Sequence, residues 1–415
     1  MAEPTPFKIA VPDDQLEWIN QRVKTARIPP GKDASEEDIW NTQGLPASYA
    51  RRIQEYWTNS YDWRRVESQI NSELKQFTLP ISHADEDHTI HFVHHRSANP
   101  SAIPLLFIHG WPGSFLEVRN IIKLLTDPDD GKQAYHVVAP SLPGFGFSSY
   151  PKKKICAPWE ISEILANLMH ALSYPKFLVQ GGDWGSMIGR LLAMQHPSSV
   201  LGLHLNFIVA SPPSPVWHPL AIAKLARAYL FKGAGLTAYE RTMLERMVWW
   251  NESEAGYQKI QGTKPQTLNY GLVDSPLGML CWLREKIHFL VDREAGFEWE
   301  DEEVITWAMP YIINGTAGHS EIYTVIPKAH GGSGDGEFLA RLFEKVVPRE
   351  VPVGVSVFPK DVGFVPRWWA ECKVAAKITF WNEREKGGHF ASVERPRDLV
   401  EDVRAFTEVS GVKVD

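Results

Sequence analysis

Four short apolar runs constrain this chain more than any other feature. IPLLFIHG, YHVVAP, KFLVQGGD and VLGLHLNF each end in glycine or a polar residue. Between them lie LEVRNIIKLL, WEISEILANLMHAL and SMIGRLLAMQH, which read as helices. Strands buried on both faces lose the polar alternation of a half-exposed strand, and parallel strands need crossover helices. The alternation therefore predicts a mostly parallel sheet with helices on both faces. It stops after Ala210, where SPPSPVWHP marks a proline-rich boundary, and strands return with VPVGVSVFP and AKITFWN. The order predicts a helical insertion over 211–345, dividing a core made of 101–210 and 346–415. Residues 1–100 form an N-terminal extension of helices and a hairpin. Its helix over 13–27 carries Leu16, Ile19 and Val23 at helical spacing, and its two strands flank Asp85-Glu86-Asp87.

The most informative segment is Lys176–Arg190, KFLVQGGDWGSMIGR. A strand runs into Gly181-Gly182-Asp183-Trp184-Gly185, and a helix follows. This resembles the sharp nucleophile turn of α/β hydrolases, with Asp183 where an esterase has serine. Such a turn crowds the backbone, so its flanking residues must be small. The bland alternative is an acidic helix N-cap. His389, in EKGGHF, follows the last apolar run near the C-terminus, where a triad base stands in this arrangement. Asp361, in FPKDVGF, follows VPVGVSVFP, where the acid belongs; Glu383 and Glu385 lie too close in sequence to His389. A solvated loop histidine and a solvated turn are the bland readings of these two. HGWPGS follows IPLLFI, and its backbone at Trp111 together with that of Trp184 supplies the expected oxyanion-hole amides.

Other features point away from other functions. A net charge of -7 and a pI near 6.1 argue against a nucleic-acid partner. Lys152-Lys153-Lys154 reads as a solvated turn. Cys156, Cys281 and Cys372 show no metal or disulfide spacing and fit a reducing compartment, so a cytoplasmic location is expected. No apolar run approaches the ~20 residues that span a bilayer. PSLPGFGFS holds only a G-x-G, and Gly331–Gly336 reads as a flexible loop, so no nucleotide cradle and no cofactor is expected. The 16 tryptophans and 12 tyrosines suggest an aromatic-lined cavity.

HGWPGS, GGDWGS, FPKD and GGHF, in this order, resemble the core motifs of the microsomal-type and fungal soluble epoxide hydrolases. FKIAVPDDQLEWINQRVKTARIP, YDWRRVE and IHFVHHRS resemble that family's N-terminal segment, so the likeness runs over nearly the whole chain. It implies an α/β-hydrolase fold with a helical lid and a cis peptide at Trp111-Pro112. It also implies an epoxide substrate opened by Asp183, with the ester hydrolysed through His389 and Asp361. GYQKIQGTKPQTLNYGLVDSPLG resembles the lid segment bearing the first ring-opening tyrosine, which carries that role to Tyr257. The shorter match HSEIY carries the second to Tyr323. Membrane-bound members have an N-terminal anchor that this sequence lacks, and they commonly carry Glu as the triad acid where Asp361 follows the fungal pattern. Lid-to-lid homodimers are compatible with the resemblance. Two readings compete: a haloalkane dehalogenase, which also uses an aspartate nucleophile, and a non-catalytic small-molecule binding protein on the same fold.

Overall fold

The structure is a computed structural model that describes residues 3–128, 131–330 and 332–413. Nine strands form one sheet: β1 (Thr5–Phe7), β2 (Gln76–His83), β3 (Glu86–His95), β4 (Ile103–Ile108), β5 (Tyr135–Pro140), β6 (Phe177–Gly181), β7 (Val200–Leu205), β8 (Val353–Val357) and β9 (Ile378–Glu383). Their order is β1-β2-β3-β5-β4-β6-β7-β8-β9. From β5 to β9 every pairing is parallel, while β1, β2 and β3 join antiparallel at one edge. Every residue of β4, β6 and β8 is buried, as expected for strands sandwiched between helices. The helices Pro158–Ala171, Asp183–Gln195 and Pro396–Val409 cover the sheet.

One expected helix is broken. LEVRNIIKLL forms a 3-10 turn, Phe115–Val118, and a five-residue helix, Ile122–Thr126. Its β-branched residues and Asn120 are weak helix formers, and Ser114 caps the tight turn through its hydroxyl on the Leu116 amide at 3.2 Å. The loop expected at Gly331–Gly336 begins at Gly331, which lies outside the described residues. Its remainder is folded back: the Gly334 N–H donates to the Ile326 carbonyl at 2.9 Å.

The insertion is a stack of short helices over the C-terminal ends of the parallel strands. The helix Asp301–Asn314 seats it on the loop after β4, where the Trp307 indole donates to the Pro112 carbonyl at 2.6 Å. The N-terminal helices brace it from outside. Arg284 donates to the buried Tyr49 hydroxyl at 2.9 Å, and Gln15 donates to the Ile313 carbonyl at 3.2 Å. No helix among the described residues is long and apolar enough to cross a membrane.

Candidate active site

β6 ends at Gly181, and the next helix starts at Asp183 with φ at +49°, a conformation that non-glycine residues rarely adopt. The turn persists because its surroundings leave no alternative. A Cβ on Gly185 would fall 1.9 Å from the Ile108 carbonyl oxygen, so only glycine lets the helix approach β4. A Cβ on Gly110 would fall 2.2 Å from Asp183 Oδ1, so the loop after β4 approaches the carboxylate equally closely. That approach brings the Trp111 N–H to 2.8 Å from Asp183 Oδ1, and the neighbouring Trp184 amide also favours the charged carboxylate. The Trp111–Pro112 bond is cis.

Asp361 and His389 arrive on paired loops. The Lys360 N–H donates to the Gly387 carbonyl at 3.0 Å, placing the loops after β8 and β9 side by side. The insertion straps the second loop: His389 N–H donates to the Leu290 carbonyl and Gly387 N–H to Asp292 Oδ2, both at 2.8 Å. His389 Nδ1–H then donates to Asp361 Oδ1 at 2.7 Å, and Nε2 lies 3.6 Å from Asp183 Oδ2. The side chains of Asp361 and His389 are 1% and 4% exposed, whereas that of Asp183 is 16% exposed. Asp183 is thus the member of this row that a bound molecule can touch.

The electrostatics follow from burial. Desolvation pushes the Asp183 carboxyl up, opposed by His389 and by the two amides. Burial works against a charge on His389, but Asp361, Asp183 and Glu117 outweigh it and push the imidazole up to about 9. Glu117 did not emerge from the sequence. It reads as a polar position in an amphipathic helix, but the 3-10 turn Phe115–Val118 points it inward against Gly113. Burial pushes its carboxyl up to about 8, with Asp183 adding and His389 opposing. The only available signal is a lone acid in the apolar run FLEV, just after HGWPGS.

Tyr257 and Tyr323 stand opposite Asp183. The helix Ala238–Trp249 runs into a π-type turn, Trp250–Glu254, which feeds the helix bearing Tyr257. The Tyr257 ring stacks on Trp111 at 4.8 Å, and Tyr323 meets Trp184 edge-on at 5.1 Å. The two tyrosine rings are 5.7 Å apart, and Gln258 Nε2 donates to the Tyr257 hydroxyl at 3.1 Å. Burial raises both phenols above their ordinary value, and the Asp183 charge adds to the effect. A cavity of about 470 Å³ opens here, lined by Asp183, Trp184, Phe207, Met247, Tyr257 and Tyr323. A larger cavity of about 660 Å³, between residues 26–51 and 275–281, holds none of these groups. Among the described residues, no cluster of three His, Cys, Asp or Glu side chains could hold a metal ion.

Comparison with known proteins bears on the fold and the family. Residues 4–118 match the epoxide hydrolase N terminus, and residues 103–241 match the alpha/beta hydrolase fold. Epoxide hydrolase 1 of Sus scrofa is 32% identical over 97% of this chain and 88% of its own length. The Aspergillus niger epoxide hydrolase superposes with a TM-score of 0.79 at 28% identity, covering 98% of this chain and 96% of that one. The juvenile hormone epoxide hydrolase of Bombyx mori gives 0.85 at 26% identity, covering 99% and 95%. Fold and comparisons therefore define an α/β hydrolase with a carboxylate, Asp183, at the sharp turn after β6. Within that class, the chain belongs to the epoxide hydrolase family.

Proposed function

We propose that this enzyme converts an epoxide and water to a vicinal diol through a covalent ester on Asp183. One observation carries the reading: a cavity-facing carboxylate with two tyrosine hydroxyls across from it and a carboxylate-held histidine 3.6 Å to its side.

A carboxylate needs no base to attack carbon, and the ester it forms leaves a carbonyl that water can attack. A serine at this position would form an ether with no such exit. In the first step Asp183 Oδ2 attacks a ring carbon, the C–O bond breaks, and Tyr257 and Tyr323 hydrogen-bond the leaving oxygen and supply its proton. The ester carries no charge. His389 then loses one of the anions that hold its pKa high and becomes able to take a proton from water. Asp361 orients the ring and stabilises the imidazolium. The hydroxide adds to the ester carbonyl carbon, and the Trp111 and Trp184 amides, already aimed at the carboxyl oxygen, stabilise the oxyanion. Expulsion of the alkoxide, protonated by His389, leaves Asp183 as the acid, and transfer of its proton to the tyrosinate left by the first step restores both groups.

Two phenolic hydroxyls, Tyr257 and Tyr323, line the cavity together with Asp183 and can supply a proton that a departing halide does not need. This favours ring oxygen over halide as the leaving group. In this reading residues 1–100 brace the lid, 211–345 form it and carry the two tyrosines, and 101–210 with 346–415 carry Asp183, Asp361 and His389. The three free thiols support a reducing, cytoplasmic location.

Single turnover in ¹⁸O-water tests the ester. Its diol takes an oxygen from Asp183, so the first diol released should be unlabelled and the label should enter the protein. A fully labelled first diol would replace the ester with direct attack by water.

A further inference from the structure

Among the described residues, twelve large hydrophobic side chains stand out in solvent, and six of them fall between Val216 and Phe231. These six are 67–86% exposed. They belong to the first helix of the insertion, Pro219–Leu230, and the residues at its two ends. Trp217, Leu220, Ala223, Arg227 and Leu230 recur every three or four residues and are all exposed, so they form one stripe along the outer face. The inner face is held: Ala228 is buried, Leu225 packs on the core and Lys224 lies over the Trp368 ring at 4.6 Å. An exposed face of large apolar side chains with a cation among them marks a contact surface.

The charge around the stripe is one-sided. From Trp184 to Tyr239 the sequence contains no Asp or Glu, although the chain as a whole carries -7. Arg227 and Lys232 lie along or beside the stripe, and neither makes an ion pair among the described residues. Trp217 and Tyr229 sit towards opposite ends of the helix. Aromatic residues flanking an apolar stripe, with cations and no anions, are what an anionic bilayer surface accommodates. A second copy fits less well, because a two-fold contact through this face would bring the Arg227 and Lys232 cations of the two copies together with no acid in the segment to pair them.

We propose that this face docks the enzyme on anionic phospholipid membranes, with the helix Pro219–Leu230 lying in the plane of the headgroups. The active-site cavity is lined by Val209, Ala210, Ser211 and Pro212, and Val216 follows four residues later. Docking thus brings the rim of the cavity beside the bilayer, where apolar epoxides concentrate. The docking claim is independent of the catalytic reading; the substrate source rests on it.

Sedimentation with vesicles tests the docking without turnover. The full chain should co-sediment with mixed phosphatidylcholine–phosphatidylserine vesicles, less with pure phosphatidylcholine, and less again in high salt. Arg227→Gln with Lys232→Gln should weaken partitioning about 25-fold, at roughly fivefold per cation. Leu220→Ser with Leu230→Ser and Phe231→Ser should abolish it. Both variants should turn over a small water-soluble epoxide normally, which establishes that they are folded. Absence of vesicle binding by the unaltered chain would overturn the proposal, as would equal binding by both variants. A dimer lost in the triple variant, with vesicles unbound, would assign the face to a second copy instead.

Discussion

The indole N–H of Trp111 donates to Nδ1 of His319 across 3.2 Å, tying the loop after β4 to the lid. Burial pushes His319 down to about 3, so the ring is neutral; with Nδ1 accepting, Nε2–H donates to Asn269 Oδ1 at 3.1 Å. Asn269 in turn donates to Ser320 Oγ at 2.6 Å and to the Pro265 carbonyl at 2.8 Å. This buried chain runs between the two tyrosines: Tyr257 stacks on Trp111, and Tyr323 follows His319 by four residues. Replacing His319 with Phe leaves a buried donor and a buried acceptor unpaired, at about 1–3 kcal/mol each. His319→Phe should therefore lower the melting temperature and slow ester formation by tenfold or more, while decay of the ester stays near its original rate. Rapid-quench kinetics would separate the two steps, and equal slowing of both would refute a positioning role confined to the tyrosines.

Asp183→Asn keeps the shape of the turn but removes the nucleophile, because an amide attacks carbon poorly. Freshly prepared Asp183→Asn should form no diol above background. Slow recovery on long incubation is expected if the site's own water hydrolyses the amide to Asp, and peptide mass would show a gain of about one unit as activity returns. Undiminished initial diol production would eliminate the covalent route.

The convergence of Asp183, Asp361 and His389 is legible in the sequence because each follows an apolar run that becomes a parallel strand. The ends of adjacent parallel strands lie together, so order along the chain translates into proximity. Tyr257 and Tyr323 have no such local signal. Their placement depends on how short helices stack, and only likeness to a family points to them. Glu117 and His319 were not legible. Glu117 turns inward because a 3-10 turn replaces an expected helix, and His319 is distinguished by partners 208 and 50 residues away in sequence. Long-range side-chain pairing leaves no periodic trace.

Glu117 and His389 also make stability depend on pH in one direction. Glu117 is held at about 8 in the folded chain against an ordinary value of 4.5, so the native state retains a proton that the unfolded chain loses between those values. His389, held at about 9 against 6.5, does the same over a higher range. In both windows the folded state binds more protons, so stability falls as pH rises. Melting temperature should decline from pH 6.5 to 9. Glu117→Gln, which removes the ionisation while keeping the volume, should flatten the lower part of that decline, with a relative gain that grows up to about pH 8 and then levels off. A decline unchanged in Glu117→Gln would mean that this carboxyl is not held protonated.

The division of labour between the two chemical steps makes the sharpest prediction. Asp183 and the two tyrosines line one cavity, whereas His389 lies beside the Asp183 carboxyl and Asp361 behind His389. His389→Gln should still open the epoxide, because attack by a carboxylate needs no base, and the ester should then persist. Intact-protein mass should rise by one substrate equivalent, carried on the peptide containing Asp183. Tyr257→Phe with Tyr323→Phe should behave in the opposite way. The leaving oxygen would have no donor, and little ester should form even with His389 intact. A single Tyr→Phe change should retain measurable turnover, since losing one proton donor typically costs about 10²–10⁴-fold and the second hydroxyl reaches the same oxygen. Asp361→Asn should resemble His389→Gln in a milder form, because the imidazole loses its partner 2.7 Å away but keeps its place. No adduct on a folded, substrate-binding His389→Gln protein, together with rapid adduct formation in the double Phe protein, would reverse the assignment of the two groups.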